Sequence, residues 1–246
     1  MQGSFIKSLK IGCCGFAQSR EKYFDVFPVV EVQQTFYQPP RIETVQRWRK
    51  EAPIKFEFTL KAWQLITHKP TSPTYRRLRE DIPDEQKSRY GFFQPTPEVF
   101  EAWRRTREIA KILEAKVVVF QCPASFEPTE SHNQHMREFF RTADRDKLIL
   151  CWEPRGNWET DEIRNLCEEF DLVHCVDPFT HETTYGSVRY YRLHGIGGYR
   201  YRYTAADLEN LLRNCQEGML TYTMFNNLFM WEDARRFRMK LGEKCR

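Results

Sequence analysis

The stretch KLILCWEPRGNW at 147–158 carries the clearest chemical signal in the chain. Its apolar run ends in Glu153 and Arg155, and side chains two apart on a strand share one side. An acid and a base aimed together from a buried strand suit anion binding by Arg155, with proton transfer or metal ligation by Glu153. The same pair could equally be a structural ion pair tying this strand to a neighbour. Other apolar runs also close on polar groups: Gln121 after VVVF, Asp177 after CV, His194 after YYRL, and Asn226 with Asn227 after MF. His194 has the side chain for general acid–base work, with a loop-holding histidine as the plain alternative. Asp177 either joins that chemistry or accepts hydrogen bonds from the turn that follows it.

Further candidates lie near strand ends. Lys61, Arg155 and Arg192 would neutralise an anion, and Tyr37, Trp158, Asn226 and Asn227 would complete the contacts to a substrate. Two cofactor readings stay open. His68, Glu153, Asp177 and His194 offer nitrogen and oxygen donors for a divalent metal, although no HxH or HExxH spacing supports them. Cys14, Cys122, Cys151 and Cys175 lie on or at the ends of strands, where converging thiolates would hold zinc or an iron–sulfur cluster. Small core cysteines explain the same pattern. The turn GIGGYRYRY at 195–203 offers backbone donors and Tyr199, Tyr201 and Tyr203 as stacking surfaces, or is a flexible surface loop. No Walker loop, strand–GxGxxG–helix fingerprint or nucleophile elbow is present in the sequence.

These residues need elements to position them. Apolar or alternating runs predict strands at 9–16, 29–37, 55–63, 116–122, 148–152, 172–177, 188–194 and 220–225. Amphipathic segments predict helices at 42–52, 96–114, 131–143, 160–170, 204–215 and 232–241, with Thr96, Thr160 and Thr204 as caps. This alternation predicts an α/β fold, an eight-stranded barrel of the TIM type, whose functional mouth is at the C-terminal strand ends. The sixth connection is short and weakly helical, so the barrel is expected to be irregular there. A polar insertion at 66–95 follows the third strand, either a functional lid or a mobile loop.

The whole chain bounds the answer further. Its 246 residues, 41% hydrophobic and 15% aromatic, suit one barrel-sized domain and exclude disorder. The net charge of +4 permits an anionic small molecule or nucleic acid as partner without requiring one. No run reaches bilayer length and the N-terminus has no signal-peptide pattern, so no membrane role is expected. Eight cysteines without a CxxC pair fit a reduced, cytoplasmic chain.

Taken in order, IGCCGF, VEVQQTFY, KFEFTLKAWQLITH, VVVFQCPASF, WEPRGNW, YYRLHG and MFNN resemble the motifs of the YecE-like family, domain of unknown function 72. The resemblance implies an α/β barrel similar to endonuclease-IV-like and xylose-isomerase-like barrels, with no activity established for the family. It also implies a mouth formed by Thr35, Phe36, Tyr37, Lys61, His68, Glu153, Arg155, Trp158, His194, Gly195, Asn226 and Asn227. Gln33 stands where the family commonly has Asn, and Leu228 where an acid is common. The acids and histidines are too few for a polynuclear zinc site of the endonuclease IV kind. The expected function is an enzyme acting on a phosphate-bearing substrate, nucleic acid or nucleotide, by acid–base or metal-assisted hydrolysis. The alternatives are a non-catalytic nucleic-acid-binding protein and a metabolic enzyme acting on a small carboxylate or sugar.

Overall fold

The computed structural model describes residues 8–215 and 218–244. Eight parallel strands form a nearly closed barrel. They are β1 (Leu9–Cys14), β2 (Val29–Val32), β3 (Glu57–Lys61), β4 (Val117–Gln121), β5 (Ile149–Glu153), β6 (Leu172–His174), β7 (Arg189–Leu193) and β8 (Thr221–Phe225). Hydrogen-bonded neighbours run β6-β5-β4-β3-β2-β1-β8-β7. The seam between β6 and β7 is closed by a single bridge, Val176 to Tyr191. There the Val176 amide donates to the Tyr190 carbonyl at 3.3 Å, and the Arg192 amide to the Val176 carbonyl at 2.9 Å. The irregularity expected at the sixth connection lies at this seam, because no helix separates β6 from β7.

Helices cover the outside. They are α1 (Arg20–Val26), α2 (Gln34–Tyr37), α3 (Ile42–Glu51), α4 (Gln64–Thr67), α5 (Pro97–Leu113), α6 (Glu130–Thr142), α7 (Thr160–Phe170), α8 (Ala205–Asn214) and α9 (Met230–Lys244). Thr96 and Thr204 cap α5 and α8 as expected, each accepting a backbone N–H with its hydroxyl. The cap of α7 is Glu159, in a reciprocal box with Glu162, and Thr160 is already helical. No helix among the described residues is long and apolar enough to cross a membrane.

The second strand is shorter than the run VVEVQQTFY, stopped by Pro39 and Pro40, suggests. It ends at Val32, and Gln34–Tyr37 coils into one helical turn. The consecutive buried residues Thr35 and Phe36 belong to that turn, whose Thr35 hydroxyl is shared between the Val32 and Lys61 carbonyls at 2.8 and 2.7 Å. The 66–95 insertion also has structure. It holds two 3-10 turns, Pro73–Arg77 and Asp84–Arg89. Its return is pinned where the Gly91 and Phe93 amides donate to the Leu65 and Ile66 carbonyls. Phe92 and Phe93 both hold a φ of 54°, rare for aromatic residues, and Phe93 is fully buried beside Phe120 and Phe139.

Between β1 and β2 the backbones approach closely at Gly12. A β-carbon there would stand 2.2 Å from the Val29 carbonyl oxygen, which the sheet holds in place. Gly12→Ala is therefore expected to destabilise the barrel by ~1–3 kcal/mol, measured as an earlier denaturant midpoint at unchanged slope. An unchanged midpoint would show that the two strands can separate without cost.

Candidate active site

Alternation on the strands turns one set of side chains into the barrel, and several of these are polar. Near the N-terminal end, Lys10 pairs with Glu57 at 3.2 Å, and the Tyr222 hydroxyl donates to the same carboxylate. Higher up, the Tyr190 hydroxyl meets Thr59 at 2.7 Å and donates to Glu31 at 2.9 Å. Above that layer lies Arg192, fully buried on β7. Its Nε and Nη2 reach Glu31 at 3.1 and 2.9 Å, and its Nη1 reaches both Gln121 Oε1, at 3.0 Å, and Glu153. Gln33 adds a further donor to Glu31.

Glu153 joins this buried layer to the mouth. One oxygen faces Arg192; the other accepts from Arg155 Nη2 and Nε at 2.6 and 3.0 Å and lies 3.1 Å from His194 Nε2. Burial pushes the Glu153 carboxyl up. Arg192, the His194 hydrogen bond and Arg155 together outweigh burial and hold it well below the usual carboxylate range. Glu153 is thus a permanent carboxylate. It orients the two groups that touch solvent, Arg155 and His194, whose side chains keep 37% and 25% of their exposure. His194 Nδ1 lies 3.0 Å from the Asn226 amide nitrogen, and its own backbone N–H donates to Asp177.

Most of the residues expected at the mouth are there, in altered roles. Arg192 is not free to bind an anion, because both ends of its guanidinium are spent on buried acids. Asp177 is not poised for proton transfer: its two oxygens accept the His194 and Phe179 amides at 2.9 and 3.1 Å, which fixes the turn carrying His194. Trp158 packs edge-on against Trp152 and donates its indole N–H to the Phe126 carbonyl at 2.7 Å, so it is part of the wall. Asn227 is fully buried and donates to the Tyr201 carbonyl and to Asp233, holding the glycine-rich turn from behind. In that turn Tyr203 is buried, Tyr201 is tied to Asp207, and Tyr199 alone of the three is exposed. Tyr37 is stacked by the Arg77 guanidinium, 3.5 Å from its ring centre, so the insertion reaches over this side of the mouth.

The donors do not fit a metal. Among the described residues no three histidines, cysteines, aspartates or glutamates converge on a point. His68 is buried against Phe36 and bonded through Nδ1 to Thr67, and burial, then Lys61 and Arg155, push it down to about 3. Glu153 and Asp177 are already saturated with N–H donors. The thiolate reading fails likewise. Cys14, Cys151 and Cys175 fill the barrel interior beside Val119 and Met224, while Cys122 faces outward under the Trp152 indole. Burial pushes all four thiols up, away from the thiolate form a cluster would need.

Lys61 is a different case from the arginines. It ends β3, is 5% exposed, and forms no ion pair among the described residues; its Nζ sits 3.4 Å from the Phe36 ring centre. Burial first, and then Arg192, push it down to about 7. The unfolded value is about 10.4. Between the two the unfolded chain binds the extra proton, so this site's contribution to stability rises as pH climbs and is weakest below 7. Lys61→Met is therefore expected to exceed the parent in stability at pH 6 by ~1–3 kcal/mol and to converge with it near pH 10. Equal melting points at pH 6 would contradict this.

Next to Glu153 a cavity of about 590 Å³ opens between the ends of β5, β6 and β7. Arg155, His194, Arg164, His174 and His181 line it. Of these, Arg164, His174 and His181 were not apparent as site residues from the sequence, and neither was Glu31. An acid inside the apolar run VVEV was the available signal for Glu31. The histidines carried none, because they lie on the irregular connection around β6.

With this geometry in view, the comparisons with known proteins fall into place. A family model described as "Protein of unknown function DUF72" matches residues 15–246. The chain belongs to this family. Among curated proteins none matches the sequence. A solved DUF72 family protein of Enterococcus faecalis is 20% identical with a TM-score of 0.70, covering 95% of this chain and 97% of that one. A D-tagatose 3-epimerase-like protein is 13% identical with a TM-score of 0.58, over 96% and 98% of the two chains. Endonuclease IV from Thermus thermophilus is 11% identical with a TM-score of 0.56, over 95% and 99%. At these identities the likeness speaks to fold. This DUF72 chain shares its barrel with proteins of quite different names.

Proposed function

We propose that this DUF72 protein is an enzyme acting on a small phosphate-bearing substrate, a sugar phosphate or nucleotide, by acid–base chemistry at His194. The observation that carries the reading is that Arg155 and His194 are the two solvent-facing ends of an otherwise buried charge network, and both line one cavity. Its volume of about 590 Å³ lies in the range of small-molecule sites, too small for a duplex but adequate for one nucleotide. The fold is shared with a protein named for a sugar epimerase and with one named for an endonuclease, the first name pointing to a sugar and the second to a phosphodiester.

The contacts suggest how binding and chemistry are linked. His194 Nε2 lies 2.7 Å from Arg155 Nη2 and 3.1 Å from Glu153, and a neutral ring nitrogen cannot accept from one while donating to the other. A phosphate that draws Arg155 into the cavity removes the competing donor, and Nε2–H then settles on Glu153. Nδ1, which then accepts a hydrogen bond from the half-buried Asn226 amide, is the basic nitrogen, and substrate takes its lone pair by displacing that amide. Glu153 steadies the imidazolium that forms when the proton arrives. No step runs through a metal.

A thermal-shift panel of sugar phosphates, nucleotides and short single-stranded oligonucleotides tests the reading, each compound run beside its dephosphorylated counterpart. At least one phosphorylated compound is expected to raise the melting temperature, its counterpart not, and Arg155→Ala to remove the effect. A shift that survives Arg155→Ala, or no shift across the panel, would reject it. Oligonucleotide binding that weakens with salt and ignores His194→Gln would instead identify a non-catalytic nucleic-acid binder.

A further inference from the structure

Among the described residues, Lys61 is the one buried cation of the mouth that the proposed acid–base scheme leaves without a task. The charges facing it come from every side of the barrel: Glu31 from β2, Arg192 from β7, Glu153 and Arg155 from β5 and the turn after it, and His68 from the loop after α4. The acids and bases among them already balance. Arg192 satisfies Glu31 and one oxygen of Glu153, and Arg155 takes the other oxygen. A charged Lys61 would thus be surplus to the network, and among the described residues no neighbour accepts a hydrogen bond from Nζ. The Phe36 ring beneath it, the Thr35 hydroxyl on its carbonyl and its place at the end of β3 hold the stem in one direction. A lysine kept out of ion pairs, desolvated and fixed at the C-terminal rim of a barrel gives up its proton more readily than an exposed one, and the uncharged amine is a nucleophile.

We propose that Lys61 forms an imine with an aldehyde or ketone carbonyl of the substrate, which is then an open-chain sugar phosphate. This rests on the reading of the cavity beside Glu153 as a phosphate-binding active site. Lys61 does not line that cavity but faces Glu153 and Arg155, which do, so the carbonyl end of the substrate reaches past them to Nζ. The Nζ lone pair adds to the carbonyl carbon, and the oxygen takes up the proton that the nitrogen loses. The resulting hydroxyl leaves as water after taking the nitrogen's remaining proton, relayed by solvent, and the carbon–nitrogen double bond closes. Water reverses the sequence and returns the free lysine, so nothing is oxidised or reduced. The imine withdraws electrons from the adjacent carbon, and a basic group beside it can then remove or return a proton there.

The test is reductive trapping. The protein is incubated at pH 7 with pyridoxal 5′-phosphate, with pyridoxal, and with the smaller glycolaldehyde phosphate; each mixture is reduced with borohydride and mapped by mass spectrometry. Lys61 is expected to be modified by a phosphorylated aldehyde about tenfold or more faster than the exposed Lys50 and Lys55. Pyridoxal should be slower, and Lys61→Arg should lose this adduct while keeping the surface ones. Modification of Lys61 no faster than that of Lys50 and Lys55, with both the large and the small phosphorylated aldehyde, would overturn the proposal. The two readings fail separately. If phosphorylated compounds still raise the melting temperature while Lys61 stays unmodified, the imine alone falls. If Lys61 is trapped equally with and without phosphate, and Arg155→Ala changes nothing, the phosphate site falls and the reactive lysine stands.

Discussion

Arg192→Met is expected to destabilise the protein by ~3–5 kcal/mol, enough to leave a small domain of ordinary stability partly unfolded. The side chain is fully buried, and it neutralises Glu31 completely and Glu153 in part. Methionine fills most of the volume but strands Glu31, whose other contacts, Tyr190 and Gln33, are neutral. The cost is the desolvation of an unpaired carboxylate rather than a lost attraction. Two measurements separate this from a packing defect. Arg192→Met combined with Glu31→Gln should recover part of the loss, since the charge that needed a partner is gone. The single variant should also lose less stability, relative to the parent, in acid. The parent behaves in the opposite sense: Glu153 is held well below its unfolded value, so its contribution is full above about pH 4.3 and is lost as pH falls through the folded value. A double variant as unstable as the single one would show that volume, and not charge, is at stake.

His194→Gln is expected to reduce kcat on any substrate identified in the ligand panel by about 10²–10⁴-fold, with little change in KM or melting temperature. The ring is one-quarter exposed and its contacts lie at the mouth, so the barrel does not depend on it. Arg155→Ala should show the converse split, KM raised and kcat less affected, because its role is to hold the phosphate. Glu153→Gln should resemble His194→Gln in rate while also lowering stability, since it touches both the mouth and Arg192. A His194→Gln variant with unimpaired kcat would reduce the histidine to a holder of its loop.

Much of this was legible in the sequence, for reasons that can be stated residue by residue. Parallel strands covered on both faces read as apolar runs, which located β4 at VVVF and β5 at ILCW directly. Glu153 and Arg155 do meet each other and His194, but Arg155 lies in the turn after β5 and reaches back to Glu153, so strand alternation is not what brings them together. What the sequence could not distinguish was depth. Arg155 and Arg192 are the same residue type near the ends of strands, yet one faces a cavity and the other is sealed in the axis. That difference arises because Arg192 lies inside β7, opposite Glu31, an acid more than 150 positions away in the chain. The metal sets failed for a related reason. His68 and Asp177 lie near strand ends in sequence, but the Thr67 hydroxyl and the amides of His194 and Phe179 already take their polar atoms. The turn at Gln34–Tyr37 read as strand because it continues the run from Val29 up to the stop at Pro39 and Pro40; the buried Thr35 hydroxyl reveals why the chain coils there.

The seam between β6 and β7 has a mechanical meaning. Seven of the eight strand junctions are ladders, whereas this one is two backbone hydrogen bonds, at Val176 and Arg192, and no helix connects the two strands. The cavity beside Glu153 has Val176 in its wall, so the compartment that would hold a ligand is hinged on the weakest line of the sheet. Breathing along that line would widen the chamber without disturbing the charged axis beneath it, and an occupant that bridges Arg155 and the β6 side would act as a staple across the gap. The amide of Val176 should accordingly exchange with solvent ahead of the amides in the middle of β4, and slow down when the chamber is filled.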